Sequence, residues 1–387
     1  MCRCYPPPQR PESLRGRAWQ RAGAGTLAAV RVDQVIPSLA SRDAVGVHTY
    51  ALTTALRAAG IDSEIFYGQC TPDVAGLGHP IAKLGRTARD RWLLYQSSIG
   101  SPVYDVLAAR SEPKLVNYHN ITPAGLLAPW EPNVGYEVSL GRVQLERLAR
   151  DSRLAVADSA YNETELLAAG YSPTAVVPLL IDMTATGAEP DPVVAARLAD
   201  AKARGGADLL FVGKISPHKA PHDLVKMLAV YRRIYDPLAR LHLVGSPLGD
   251  RYAPVLDRFI ANLGLSSAVS VAGSVDAAGL EAYYRAADLF VCASDHEGFC
   301  VPIVEAMGHG LPVVAYGVAA VPETVGNAGL VLPDKSPLRF AAAVARVLGD
   351  DALRARLVAA ATDRAATFSV EASTRRFVDL IRQAIAA

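Results

Sequence analysis

From Thr26 the chain repeats one unit: a short, mostly apolar run, a polar loop, then an alanine-rich stretch with helical spacing. The runs at 27–36, 63–67, 114–118, 154–157 and 175–177 predict strands, and 46–59, 137–150 and 161–169 predict helices. Continuous apolar runs belong to sheets covered on both faces, and alternation with helices makes such a sheet parallel. The pattern breaks over 182–192, where Gly187, Pro190 and Pro192 mark a linker. A second series follows, with strands predicted at 209–212, 240–244, 268–272, 289–293, 312–316 and 329–332. Its helices are predicted near 221–235, 250–263, 277–286 and 301–309, and segments 337–348, 351–366 and 370–386 close the chain.

Two such series in 387 residues, 51% of them hydrophobic, predict two domains, since one core does not extend over that length. Lys and Arg number 39 against 38 acidic residues, so no global field favours nucleic acid as a partner, and any phosphate binding must be local. The five cysteines form no disulfide framework, and Cys2-Arg-Cys4 lacks the second pair that tetrahedral zinc requires. A cytoplasmic setting is the simplest expectation. Residues 1–26, with Pro6-Pro7-Pro8 and five arginines, predict a disordered leader. Gly23-Ala-Gly25 within it imitates a dinucleotide fingerprint but precedes the first strand, so it is set aside.

The densest chemistry lies at 294–315. Strand 289–293 leads through Glu297 and Gly298 into a helix with Pro302 in its first turn and Glu305 inside it. The N–H groups of Gly298, Phe299, Cys300 and Val301 would then face the space beyond the strand, and such a terminus favours anions. Carboxylates beside a phosphate suit hydroxyl donors, those of a ribose and of a sugar, and a nucleotide sugar offers both. After strand 209–212 come Gly213, Lys214 and Lys219. The glycine permits close approach, and two ammonium groups can neutralise a diphosphate without a metal.

The stretch AGSVDAAGLEAYYRAADLFVCASDHEGFCVPIVEAMGHGLPVVA and the run FVGKISPHK resemble the donor-binding core of the family 4 retaining glycosyltransferases of GT-B fold. That resemblance implies two doubly wound Rossmann-like domains facing across a cleft, with a C-terminal helix crossing back to the first. The expected divisions are an acceptor-side domain over 27–182, a donor-binding domain over 183–369 and the crossover helix over 370–387. It implies transfer of a hexosyl group, mannosyl or glucosyl as first expectation, from a nucleoside diphosphate sugar to a hydroxyl acceptor, saccharide or lipid-linked, without cofactor or metal. Surface polysaccharide or glycolipid synthesis is the expected setting. Lys219 matches the family's phosphate-contacting lysine, and Lys214 stands where arginine is common. Glu305 is expected on the ribose, and Glu297 with the 298–301 backbone on the sugar. Cys300 occupies a position usually glycine, which leaves its N–H intact. His119, at the end of strand 114–118, matches the histidine that contacts the transferred sugar, and Gly46 the glycine that approaches the phosphate. His48 and Asp43 remain as acceptor contacts.

The same residues admit other readings. Asp295-His-Glu297 imitates an acidic metal motif, but the lysines and the helix terminus already supply positive potential. A phosphorylase or sugar-phosphate synthase of the same fold would need extra basic residues on first-domain loops, and a non-catalytic nucleotide-sugar sensor would bind without turnover. Lys83, Arg86, Arg89 and Arg91 before Trp92-Leu-Leu-Tyr95 fit either a peripheral membrane contact or, better, a helix with a solvated basic face.

Overall fold

The computed structural model describes residues 30–40, 43–183 and 188–387. The predicted leader, the start of the strand predicted at 27–36, Cys2, Cys4 and Gly187 of the linker lie outside them.

In the first domain, β1 (Arg31–Leu39), α1 (Ala44–Ala58), β2 (Ile65–Cys70), β3 (His79–Pro80), β4 (Arg91–Ser97) and α2 (Val103–Ala108) follow in order. Then come β5 (Lys114–Tyr118), α3 (Pro132–Leu148), β6 (Ser152–Ala157), α4 (Ala160–Ala168) and β7 (Thr174–Val176). Every pairing is parallel, in the order β3-β2-β1-β4-β5-β6-β7.

The basic-aromatic stretch is not a helix. Trp92-Leu-Leu-Tyr95 belongs to β4, between β1 and β5, with Leu93, Leu94 and Tyr95 buried. Arg91 is held inward by buried Asp33 at 3.1 Å. A central strand of a two-faced parallel sheet reads as a near-continuous apolar run, and the basic residues before it merely imitate an amphipathic turn. This segment therefore offers no helical face to a membrane.

The second domain opens with α5 (Pro192–Ala203), where a linker was expected to end. Asp191 caps it, accepting from the Val193 and Val194 N–H groups, with Pro192 in the first turn. The domain continues through β8 (Asp208–Val212), α6 (Pro221–Ile234), β9 (Arg240–Val244), α7 (Tyr252–Asn262), β10 (Val269–Gly273), α8 (Ala277–Ala286), β11 (Leu289–Cys292) and α9 (Val301–Gly308). It closes with β12 (Val313–Tyr316), α10 (Val321–Val325), β13 (Gly329–Leu332), α11 (Pro337–Leu348), α12 (Asp351–Ala366) and α13 (Val370–Ala386). Its six strands are also parallel, ordered β10-β9-β8-β11-β12-β13. The last helix returns to the first domain. Phe377, Val378 and Ile381 of α13 share a buried cluster with Val32, Leu52, Leu56 and Leu94, and Arg382 donates to the Ala59 carbonyl at 2.9 Å.

Asp208 anchors β8 to β9 through Arg240 at 2.7 Å and His242 at 2.9 Å. Burial works against its charge, but His242 and Arg240 outweigh it and hold the carboxyl down to about 2, against an ordinary 3.8. A depressed carboxyl contributes stability that is present above its unfolded pKa and lost as pH falls through the folded one. Acid unfolding should accordingly show a loss of up to ~2 kcal/mol between about pH 4 and pH 2 that Asp208→Asn removes. Parallel acid titrations of wild type and Asp208→Asn that superimpose would refute this.

Candidate active site

Each sheet reverses its strand order once, between β1 and β4 in the first domain and between β8 and β11 in the second. Ligands of doubly wound sheets bind beyond the strand carboxyl ends at such reversals. The segments that follow β1, β4, β8 and β11 meet here around one cavity of about 320 Å³, formed by both domains.

On the second-domain wall, β11 delivers Glu297 and β8 delivers Gly213, Lys214 and Lys219. Lys219 Nζ lies 2.6 Å from Glu297 Oε2. Burial opposes the Lys219 charge, yet the Glu297 carboxylate prevails and holds the ammonium above its ordinary pKa. Lys214 faces the same cavity and makes no ion pair among the described residues. Helix α9 starts at the cavity edge, and among the described residues the N–H groups of Gly298, Phe299, Cys300 and Val301 meet no protein acceptor. Cys300, at φ 69°, sits in the left-handed region that favours glycine. Glu305, one turn further along α9, is buried and accepts from the Tyr284 hydroxyl at 2.7 Å. Tyr284 is in turn stacked on His309, ring centroids 4.6 Å apart. Tyr284 lies in the last turn of α8, inside the stretch that carries the family resemblance, but sequence reasoning gave it no role.

Asp295, His296 and Glu297 diverge. Asp295 pairs with Lys335 at 2.6 Å, His296 with the Asn120 amide oxygen at 2.6 Å, and Glu297 with Lys219. The three do not converge on one ion.

The first-domain wall carries His119, Asn120, Asp158 and Ser98, beside the aliphatic side chains of Ile99, Leu127, Val134 and Val138. His119 is fixed at both ring nitrogens: Nδ1 lies 2.8 Å from the Asp158 carboxylate and Nε2 2.6 Å from Gln96 Oε1. The Gln96 orientation follows from a backbone anchor. Gln34 donates to the Thr49 carbonyl, so its own amide oxygen accepts from Gln96, which turns the Gln96 oxygen toward His119. Burial raises the Asp158 carboxyl above its ordinary pKa, against the opposing pull of His119. Asp158 follows β6 as His119 follows β5, so the strand-end criterion that selected one could have found the other.

Gly46 lies within the first turn of α1, packed against Ala40, while Ala44 and Val45 face the cavity in its place. Asp43 caps that helix through the Val45 N–H at 3.0 Å. His48 is buried behind the wall, where its Nδ1 accepts from the Leu180 N–H at 3.0 Å. Burial and then His119 push the His48 imidazole well below its ordinary pKa.

The two walls are clasped together. Ser159 donates to the Gly298 carbonyl at 2.7 Å, and Glu323 accepts from the Ala160 N–H at 3.0 Å at the start of α4. A Cβ at position 298 would run into that of Asn120, so only glycine permits this approach.

Residues 206–350 match the family model for glycosyl transferases group 1. Over 180 residues the chain is 34% identical to a D-inositol 3-phosphate glycosyltransferase of Corynebacterium glutamicum, covering 46% of this chain and 43% of that protein. Over 218 residues it is 34% identical to the enzyme of that name from Frankia alni, covering 53% of each. The chain spans about half the length of these curated relatives. A solved sucrose-phosphate synthase from Thermosynechococcus elongatus superposes with a TM-score of 0.70 at 20% identity, over 92% of this chain and 99% of that one. Anabaena HepE in complex with UDP and glucose gives 0.69 at 20%, over 91% and 100%. The fold is thus GT-B, as the resemblance implied. No helix among the described residues is long and apolar enough to cross a membrane.

Proposed function

We propose that this chain, which carries the glycosyl transferases group 1 region over residues 206–350, transfers a hexosyl group from a nucleoside diphosphate sugar to a hydroxyl acceptor with retention at the anomeric carbon. The observation that carries the reading is the convergence of Lys219, Lys214, Glu297, Glu305 and the α9 terminus on one cavity between two walls. In it the lysines and terminal N–H groups hold the diphosphate, Glu305 takes the ribose hydroxyls, and Glu297 with the 298–301 backbone orients the sugar. That HepE binds UDP and glucose in the same fold agrees with such a donor.

Retention is supported by what His119 is not free to do. A His–Asp pair in such a cleft could serve as general base for an inverting attack, with Asp158 orienting the ring. Here the second ring nitrogen meets Gln96 instead of open cavity, so no lone pair faces an acceptor. Same-face attack, with the departing diphosphate taking the acceptor proton, needs no such base. NMR of the first-formed glycoside should show the donor's anomeric configuration, and an inverted coupling would overturn the mechanism.

A phosphate-accepting enzyme of the same fold is the second reading, and basic residues on first-domain loops at the cavity would favour it. A hydroxyl acceptor, saccharide or lipid-linked, suits the Ser98, Asn120 and aliphatic surface there. Work at a cytoplasmic membrane face, in polysaccharide or glycolipid assembly, is consistent with it. A thermal-shift panel of UDP, GDP and ADP sugars tests donor binding, since ligand at a hundred times its dissociation constant adds about 2.7 kcal/mol. Release of nucleoside diphosphate on adding acceptor then separates an enzyme from a sensor. Turnover should survive excess chelator, because Lys214, Lys219 and the helix terminus supply the positive potential. Loss on chelation restored by magnesium or manganese would contradict that assignment.

A further inference from the structure

Two thiols that glycosyl transfer does not use lie beside the cavity, Cys300 in its lining and Cys292 in the core outside it. Cys292 ends β11 and Cys300 opens α9, both buried and both free. They stand at the two ends of the segment that carries Glu297. Their sulfurs and a Glu297 carboxylate oxygen lie within 4.8 Å of one another. Tetrahedral zinc, with sulfur at about 2.3 Å and carboxylate oxygen at about 2.0–2.2 Å, sets its ligand atoms roughly 3.5–3.8 Å apart. From that 4.8 Å limit the three donors need to close by at most about 1.0–1.3 Å to reach this geometry.

We infer that Cys292, Cys300 and Glu297 form a binding site for a thiophilic divalent cation, zinc or a chemically similar ion, with the fourth position left open. Soft thiolates select such ions over magnesium or calcium. Access is from the cavity, which Cys300 and Glu297 line.

Charge balance permits the exchange despite the nearby ammonium. Without metal the thiols are neutral and Glu297 is balanced by Lys219. Uptake of a divalent cation forms two metal–sulfur bonds and one metal–oxygen bond, and releases two thiol protons to solvent. Two thiolates, one carboxylate, the cation and the ammonium again sum to zero. The cation draws Glu297 away from Lys219, so on the donor-site reading above an occupied site is an inhibited one. The binding itself does not depend on that reading.

Cobalt(II) is the probe, titrated into the full chain kept reduced by a phosphine, with neither donor nor acceptor present. Wild type should take up cobalt with a near-ultraviolet thiolate-to-metal charge-transfer band that zinc abolishes. Cys300→Gly and Cys292→Ala should each lose that band, while Cys2, Cys4 and Cys70 remain in both as internal controls. Cys300→Gly is a safe variant to fold, because position 300 has a backbone that glycine adopts readily. Glu297→Gln should keep the sulfur band and bind cobalt about tenfold more weakly or worse, as expected when one ligand is removed. Absence of the band in wild type, or its survival unchanged in both cysteine variants, would overturn the inference.

Discussion

Lys219→Ala should lower turnover by about two orders of magnitude or more, equivalent to about 2.7 kcal/mol of lost transition-state stabilisation. In the proposed same-face transfer the bond to the diphosphate is largely broken before the new one forms, so negative charge grows on the leaving group that Lys219 is proposed to contact. A contact that strengthens with that charge acts on kcat more than on donor affinity. The ammonium is well suited to the task, since Glu297 at 2.6 Å keeps it charged in a partly buried position. The same pairing complicates the variant, because deleting Lys219 leaves Glu297 buried without its partner, a change that destabilises proteins. Lys219→Ala/Glu297→Gln removes both charges and serves as the control for folding. If steady-state kinetics of folded Lys219→Ala show kcat within a few-fold of wild type, Lys219 does not face the leaving group.

The second-domain wall of the cavity was legible because its residues are local in the chain. Glu297, Gly298 and Glu305 fall on one strand-to-helix passage, and Gly213, Lys214 and Lys219 on another, so their relative positions follow from the rise of a helix and the reach of a loop. The first-domain wall was only partly legible. His119 could be chosen because it ends an apolar run, but Gln96 and Asp158 come from other strands and meet it only through the order of the sheet. Gly46 illustrates the reverse. The sequence places it near the cleft, yet its small volume serves the approach of α1 to Ala40. Strand β4 was misread for a physical reason as well: arginines and an aromatic preceding two leucines satisfy a helical stripe and a buried strand equally over so few residues. The clasp of Ser159 and Glu323 on the opposing domain joins positions far apart in the chain, with no periodicity to announce it.

The two cavity glutamates should fail in different ways, and Tyr284 supplies a third measurement. Glu305→Ala should weaken nucleoside diphosphate binding by about 1.5–3 kcal/mol, the usual worth of hydrogen bonds to a charged group. Glu297→Ala should leave that affinity closer to wild type and lower turnover, because its proposed partner is the sugar. Glu305 is buried with one oxygen held by the Tyr284 hydroxyl, which fixes the carboxylate in one orientation. Tyr284→Phe keeps the ring and its stacking on His309 while deleting that donor. It should therefore reduce nucleotide affinity in the same direction as Glu305→Ala, by about 0.5–1.5 kcal/mol, the net worth of one hydrogen bond. Once Glu305 is gone the hydroxyl has nothing to position, so the double variant should bind no more weakly than Glu305→Ala alone. Calorimetric titration of nucleoside diphosphate into wild type and the four variants decides the matter. Equal losses for Glu297→Ala and Glu305→Ala would refute the division of roles, and full additivity of Tyr284→Phe with Glu305→Ala would show that the tyrosine acts elsewhere.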